Sequence, residues 1–398
     1  MTDDAPAAPA VSGRFPKVPE NSLLASVLLS FLATAGLFYV NIMAALVDGL
    51  ISGAGLTPKA AGLVASANVY GAAVGALTAV FIIRRLPWRR TAITVLLLLI
   101  SVDLVSTLIK VPELLIGIRF VHGIIGGLLV GVAFAVIART RTPDRTFGML
   151  LVVQFGLGGL GLMFLPRLVP VFGHGVLFMA LATFSAVTLA MLPFLGEYRA
   201  PPRPAPTATK AVVRWVPLVL AFAGIFLFQA ANMGLAAYII GLGKASGLTL
   251  GFITDTLGAA NWIGALGSVM VVLLGLRFGR ARPLLLGLAL TLVGTWAFHF
   301  AHLPMVFLVA NIATAVTWAF VIPYLLGMCA AFDKAGQMAA LGGFFSKLGL
   351  ASGPAVAAFV AGGGEYQGLI TLAAVGLLCS GLAALTPALL LDRQRQPA

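Results

Sequence analysis

The chain of 398 residues is 60% hydrophobic and only 9% charged, contains 46 glycines, and has a mean hydropathy of +1.06. Soluble domains carry roughly 25% charged residues, so the charge needed to coat two or three of them is missing and a soluble enzyme is excluded. A net charge of +13 would raise nucleic acid as a partner for a soluble protein, but here the cations gather in short runs between apolar stretches, which is a membrane-topology pattern and leaves no role for nucleic acid.

Residues 1–21 include Asp3, Asp4 and several prolines and lack the basic start and cleavage site of a secretory signal, so a disordered tail is expected. Twelve apolar stretches follow, each near the roughly 20 residues that cross a bilayer. They lie at 22–45, 58–82, 92–109, 114–138, 147–165, 174–195, 215–240, 251–275, 283–301, 305–329, 338–361 and 367–391. The first six make a predicted N-terminal bundle, 22–195, and the last six a C-terminal bundle, 215–391. Between them, 196–214 holds four prolines and four basic residues and reads as a linker; 392–398 is a short tail. The expected fold is an all-α membrane protein of 12 transmembrane helices in two six-helix bundles. With the N-terminus inside, 19 of the 25 Lys and Arg fall in the tails and inner loops, so both termini are expected in the cytoplasm of a cell with the chain in its inner membrane.

The halves also share a pattern. Arg84-Arg85 after the second span recurs about 193 residues later around Arg277, and Asp144-Arg145 after the fourth recurs 189 residues later as Asp333-Lys334. Parallel six-helix repeats are a transporter architecture, with the binding site near the bilayer midplane between the repeats. Cys329 and Cys379 lie in apolar stretches without metal or disulfide spacing and read as small hydrophobes. Gly156, Gly158 and Gly161 spell G-x-G-x-x-G, but inside an apolar span and without a βαβ unit this is no dinucleotide fingerprint. No P-loop, H-E-x-x-H or zinc spacing occurs, so no cofactor is expected and an ion gradient is the simpler energy source.

Several motifs resemble the major facilitator superfamily from the first span to the twelfth. Gly75 with Arg84, Arg85, Arg89 and Arg90 is similar to the family's signature loop after span 2, although Ile83 replaces its acid and Pro87 its glycine. The second-half copy has Arg277 and Gly279 but Leu276 in place of the acid. IRFVHGIIGG, with Arg119, Gly123 and Gly127, resembles the R-x-x-x-G-x-x-x-G pattern of span 4, and Gly349, Gly353 and Pro354 in span 11 resemble the glycine-proline motif of the family's antiporters. The resemblance implies rocking bundles in alternating access, with these glycines and loop arginines in the conformational machinery. It also implies that spans 1, 4, 7 and 10 are innermost and that spans 5 and 11 line the cavity. Glycine pairs four apart, such as Gly71 with Gly75 and Gly123 with Gly127, also allow close helix approach.

Charges inside a membrane are costly, and so they mark function or an internal partner. Arg119 in span 4 and Lys347 in span 11 are therefore candidates to hold a substrate anion from opposite halves. Without an acidic residue at mid depth in those two helices, the counter-ion is expected to arrive as the substrate, a small organic anion such as a carboxylate. His122, one turn from Arg119, and Asp103 in span 3 are candidate proton carriers; for Asp103 the alternative is a structural partner on a neighbouring helix. Asn41 in span 1, Gln229 and Asn232 in span 7, and Asn311 and Trp318 in span 10 are candidate substrate contacts, or else interhelical hydrogen bonds. The expected function is a monomeric secondary transporter, coupled to protons or to a counter-substrate. A pump for hydrophobic or cationic compounds and a non-transporting receptor or assembly partner are the alternatives.

Overall fold

The computed structural model describes residues 16–82, 87–198, 215–332, 337–361 and 366–394, and among these all regular structure is helical. The helices before the linker are α1 (Leu23–Ala35), α2 (Phe38–Asn41), α3 (Met43–Ala54), α4 (Pro58–Ile82), α5 (Trp88–Ser106), α6 (Pro112–Ile137), α7 (Pro143–Phe172) and α8 (Gly175–Met191). After it come α9 (Trp215–Ala237), α10 (Ile239–Ala245), α11 (Leu250–Leu274), α12 (Ala281–Ala297), α13 (Pro304–Ala331), α14 (Gln337–Val360) and α15 (Tyr366–Arg393). Ten are long and apolar enough to cross a membrane. The other two spans differ in kind: the first is broken into α1, α2 and α3, and the third, α5, carries Arg89, Arg90 and Asp103 within 19 residues.

Helix starts follow local chemistry. Ser22, Thr57 and Thr249 each accept a hydrogen bond from the backbone N–H three residues on, and Pro112, Pro143 and Pro304 sit at first helical positions, where a missing N–H costs nothing. Span 1 ends at Ala54, beyond the expected 45, where Gly55 takes the left-handed conformation at φ 71°. Span 5 reaches Phe172 instead of 165, passing through Pro166 and Pro170. It continues past Arg167 because α11 receives that cation: Arg167 donates to Thr254 Oγ1 at 2.8 Å and to the Gly251 carbonyl at 2.8 Å.

Spans 1 and 7 are interrupted at matching places. Gly36, Leu37 and Ile42 separate the pieces of span 1, and Tyr238 separates α9 from α10. Paired interruptions in two halves point to a binding region, because irregular backbone at membrane depth persists only where protein or a cavity satisfies it.

Within the first half α4 packs on α6 at closest range. A methyl group on Gly71 would overlap the Phe120 carbonyl, and one on Gly123 the Asn68 carbonyl, so these sites admit only glycine at this separation. In the second half Gly349 and Gly353 of α14 meet the Phe226 and Ala230 carbonyls of α9 in the same way. The halves meet along α4 with α14 and α7 with α11, and at the face away from the termini α3 touches α9 and α10. Bonds across this seam run from mid depth to that far face. At mid depth Tyr70 pairs with Ser352 at 2.7 Å, while Asn261 and Trp262 donate to the Phe155 and Gly156 carbonyls. Toward the far face Tyr238 donates to the Pro58 carbonyl, Lys244 pairs with Asp48 at 2.6 Å, and Arg167 with Asp255 at 2.5 Å.

The two ends are more ordered than expected of tails. Residues 16–20 lie along 194–198, with Val18 N–H donating to the Phe194 carbonyl and Lys17 paired with Glu197 at 2.7 Å. At the other end α15 runs to Arg393, and the Asp392 carboxylate accepts from the N–H groups of Arg280 and Ala281 at 2.8 Å, capping α12. Arg84, Arg85, Asp333, Lys334 and most of the linker fall outside the described residues.

Candidate functional site

A cavity of about 250 Å³ lies between the halves. It is lined from span 1 by Asn41 and its neighbours and by residues of α7, α9, α11, α12 and α13. The wall is mostly apolar, through Met43, Phe155, Met233, Leu257 and Phe298, and its polar groups include five amides, Asn41, Gln154, Asn232, Asn261 and Asn311. No Asp, Glu, Lys, Arg or His belongs to this lining.

Three of the amides are half-committed. Asn232 Nδ2 donates to the Phe228 carbonyl at 2.8 Å, Asn311 Nδ2 to the Phe307 carbonyl at 2.8 Å, and Asn261 Nδ2 to the Phe155 carbonyl at 2.7 Å. Asn41 Nδ2 is buried without a partner. Behind the wall a relay fixes the Trp318 ring, since its Nε1 donates to Gln229 Oε1 at 2.8 Å while Gln229 Nε2 donates to Ser346 Oγ at 2.8 Å. Of the expected substrate contacts, Asn41, Asn232, Asn311 and Trp318 thus line the cavity and Gln229 supports it from behind. Gln154 and Asn261 were missed; an Asn followed by Trp within an apolar span was the available signal for Asn261.

Arg119 does not reach this cavity. It is fully buried and turned into the first half, where its guanidinium donates to Asp103 Oδ1 at 2.7 Å, to Ser106 Oγ and to the Val102 carbonyl, and lies 4.6 Å from the Phe178 ring centroid. The expectation that its counter-ion comes with the substrate is corrected: the carboxylate is internal, one helix away on α5. His122 Nε2 sits 3.2 Å from the same Asp103 oxygen, and Asn68 Nδ2 is 2.7 Å from His122 Nδ1. With the amide N–H as donor, Nδ1 accepts, and the imidazole proton sits on Nε2 facing Asp103. Asp103 Oδ2 has no hydrogen-bond partner. The Tyr39 ring of α2 lies 6.2 Å from the imidazole, its buried hydroxyl also unpartnered. The four-residue helix α2 therefore touches the charge cluster through Tyr39 and the cavity through Asn41.

Lys347 is half-buried on α14, lines neither this cavity nor a second, apolar groove between α4, α6 and α14, and has no acceptor among the described residues. It and Arg119 do not come together. Arg89 caps the end of the first half, donating to the Leu192, Leu195 and Gly196 carbonyls after α8, while Arg90 and Arg277 are exposed. Gly279, at φ 75°, sits against the Asp392 carboxylate, so the acid that the second-half loop lacks is delivered from α15. Gly75 meets the Ile124 carbonyl and Gly127 that of Ala72 across the α4–α6 contact; Pro354 turns its carbonyl toward Gly62 of α4.

Comparison with known proteins accords with this architecture. The peptide transporter POT, solved as a mutant, is 14% identical with a TM-score of 0.72 over 96% of this chain and 98% of its own. The nucleoside transporter NupG is 12% identical with a TM-score of 0.64 over 94% and 99%. These likenesses establish the fold. No curated protein matches in sequence. The model of the Major Facilitator Superfamily matches residues 23–325, more than half of the chain, and with the broken first and seventh spans and the cavity between two six-helix halves already described, the chain belongs to the Major Facilitator Superfamily, a family of transporters.

Proposed function

We propose that this chain is a secondary transporter working by alternating access, and that its substrate is a small, uncharged, largely apolar molecule bound in the central cavity. The observation that carries this reading is the absence of any ionisable side chain from the cavity wall. A carboxylate entering such a site leaves water without meeting a cation, at a cost of several kcal/mol, whereas an uncharged molecule gains apolar burial and keeps its few polar groups paired with amides. This stands nearer to the hydrophobic-compound alternative than to the organic anion first expected. The distribution of Lys and Arg supports cytoplasmic termini. The ion pairs at the opposite face then correspond to a state closed to the outside.

Coupling is assigned to protons at Asp103 and His122, a titratable pair 3.2 Å apart and linked to the cavity through α2. Movement of α2 when a substrate meets Asn41 shifts Tyr39 against His122, and protonation acts back through the same four residues.

The anion reading keeps one observation in its favour, the ammonium of Lys347, which has no acceptor among the described residues. The purified full chain in detergent separates the two readings by thermal stabilisation with uncharged amphiphiles and with organic carboxylates, in wild type and in Lys347→Ala. Stabilisation by the uncharged set, unchanged in the variant, supports the proposal. Stabilisation by carboxylates alone, lost in the variant, overturns it. For coupling, substrate uptake into proteoliposomes should follow an imposed pH gradient in wild type and lose that dependence in His122→Asn; uptake indifferent to the gradient in wild type overturns the assignment to protons.

A further inference from the structure

We propose that the central cavity selects its ligand by hydrogen-bond donors, so that the preferred substrates carry hydroxyl or neutral N–H groups on an apolar frame. This deepens the preceding reading and rests on the central cavity being the substrate site. The argument is an accounting of amide atoms. Asn232, Asn261 and Asn311 each turn toward a backbone carbonyl, which only accepts, so the end facing it must be the NH₂ group. What is left over in each case is one N–H and the carbonyl oxygen, and no donor among the described residues reaches that oxygen. Three residues from three helices, α9, α11 and α13, thereby present acceptors at one cavity.

The donors in the wall are of another kind: each of these NH₂ groups keeps a second N–H but its nitrogen is already bonded once, and the Thr295 hydroxyl in the lining can donate or accept, so the three oxygens are the groups left wholly unpaired. Trp318 Nε1 is already spent on Gln229, and Thr314 Oγ1 donates back to the Ala310 carbonyl of its own helix. Asn41 and Gln154 remain as amides free to turn either end inward, enough to serve one or two acceptors on a ligand. A ligand with only acceptors therefore faces three carbonyl oxygens unpaired, whereas one bearing hydroxyls satisfies them. A buried acceptor deprived of its donor costs enough to lower affinity about tenfold. The same arithmetic disfavours carboxylates, which are acceptors alone when ionised.

The probes are phenyl-substituted alkane diols and, on the same carbon frames, their dimethyl ethers, which keep the oxygens and remove the donors. Binding is measured by calorimetry on the detergent-purified full chain. The diols should bind at least tenfold tighter than the matched ethers. In Asn232→Leu and Asn311→Leu that ratio should fall by about threefold each, the ethers being little affected. Both asparagines donate only within their own helices, so neither change removes a bond between helices. Ethers that bind as well as diols overturn the donor rule, as does failure of any diol to bind up to its solubility limit. Ala260→Phe and Ala44→Phe, which place bulk in the cavity wall, should abolish binding of both series. Diol binding that survives both, with the diol-to-ether ratio intact, overturns the underlying choice of site instead.

Discussion

The first half of the molecule holds a fully buried ion pair, and the cavity between the halves has no charged residue in its lining. Arg119 and Asp103 are 0% and 1% exposed, wrapped by Ser106, His122 and Asn68, with a Phe178 ring against the guanidinium. The second half instead carries neutral relays such as Ser346–Gln229–Trp318. The difference teaches how charge is tolerated at membrane depth: Arg119 is held inside one half against a carboxylate of the neighbouring helix, while the lining of the cavity is left uncharged.

The largest test of this contrast is to open the ion pair. Asp103→Ala leaves Arg119 charged and buried without its counter-ion, and breaking a buried pair costs about 3–5 kcal/mol. The expected result is a large loss of thermal stability in detergent, with the double variant Asp103→Ala, Arg119→Met less damaged than Asp103→Ala alone. A single variant as stable as wild type would show that the charge is not confined as described and would break the comparison. Next in size is Gly123→Leu. Its side chain has no room against the Asn68 carbonyl, so overpacking of about 1–3 kcal/mol is expected, together with disturbance of the Asn68–His122 bond it lies beside. The check is a lower unfolding temperature joined to a changed pH dependence of uptake, which a purely local packing defect would not produce.

A smaller effect is expected at the far face. Lys244 is 38% exposed and Asp48 8%, so their pair is partly screened and Asp48→Asn should remove about 1 kcal/mol from the closed arrangement. That corresponds to a roughly fivefold shift toward the state open at that face. Labelling of Val40→Cys, in a background without Cys329 and Cys379, by a membrane-impermeant thiol reagent added at the face away from the termini should accelerate accordingly. Unchanged labelling would mean that the remaining bonds across the seam, those of Tyr238 and Arg167 at the far face among them, hold it without the Lys244–Asp48 pair.

Much of the architecture was legible because bilayer thickness dictates the length of an apolar run. Spans 2, 4, 8 and 11 start and end within two residues of expectation for that reason. Spans 1 and 5 run past the expected 45 and 165, to Ala54 and Phe172, and in each extension a charged residue, Asp48 or Arg167, meets an opposite charge from the other half, Lys244 or Asp255. The site was legible as residue types more than as geometry. The intramembrane asparagines at 41, 232 and 311 line the cavity, an amide at that depth being a group that needs a partner. Arg119 was assigned the wrong neighbour because helix phase decides whether a cation faces a cavity or an adjacent helix, and a window of glycines at 123 and 127 does not reveal that α5 brings Asp103 to its opposite side. Asn68 gave a signal of the same kind as Asn41, a lone amide in an apolar helix, and was passed over for want of a motif around it.

The smallest expected effect sharpens the comparison most. Asn311→Leu removes a hydrogen bond confined to its own helix and replaces an amide by an apolar group of similar size, so its change in stability should lie within about 0.5 kcal/mol, far below that of Asp103→Ala. Transport of the preferred substrate at low concentration should nonetheless fall by about threefold, because the amide's free oxygen serves the ligand and not the fold. Lys347→Ala serves as the control: outside the cavity lining and without an internal partner, it should alter neither the unfolding temperature by more than a degree or two nor the selectivity among uncharged ligands. If Asn311→Leu instead unfolds the protein while Lys347→Ala abolishes transport, the cavity amides are structural, the cation is the contact, and the division between confined charge and neutral cavity does not hold.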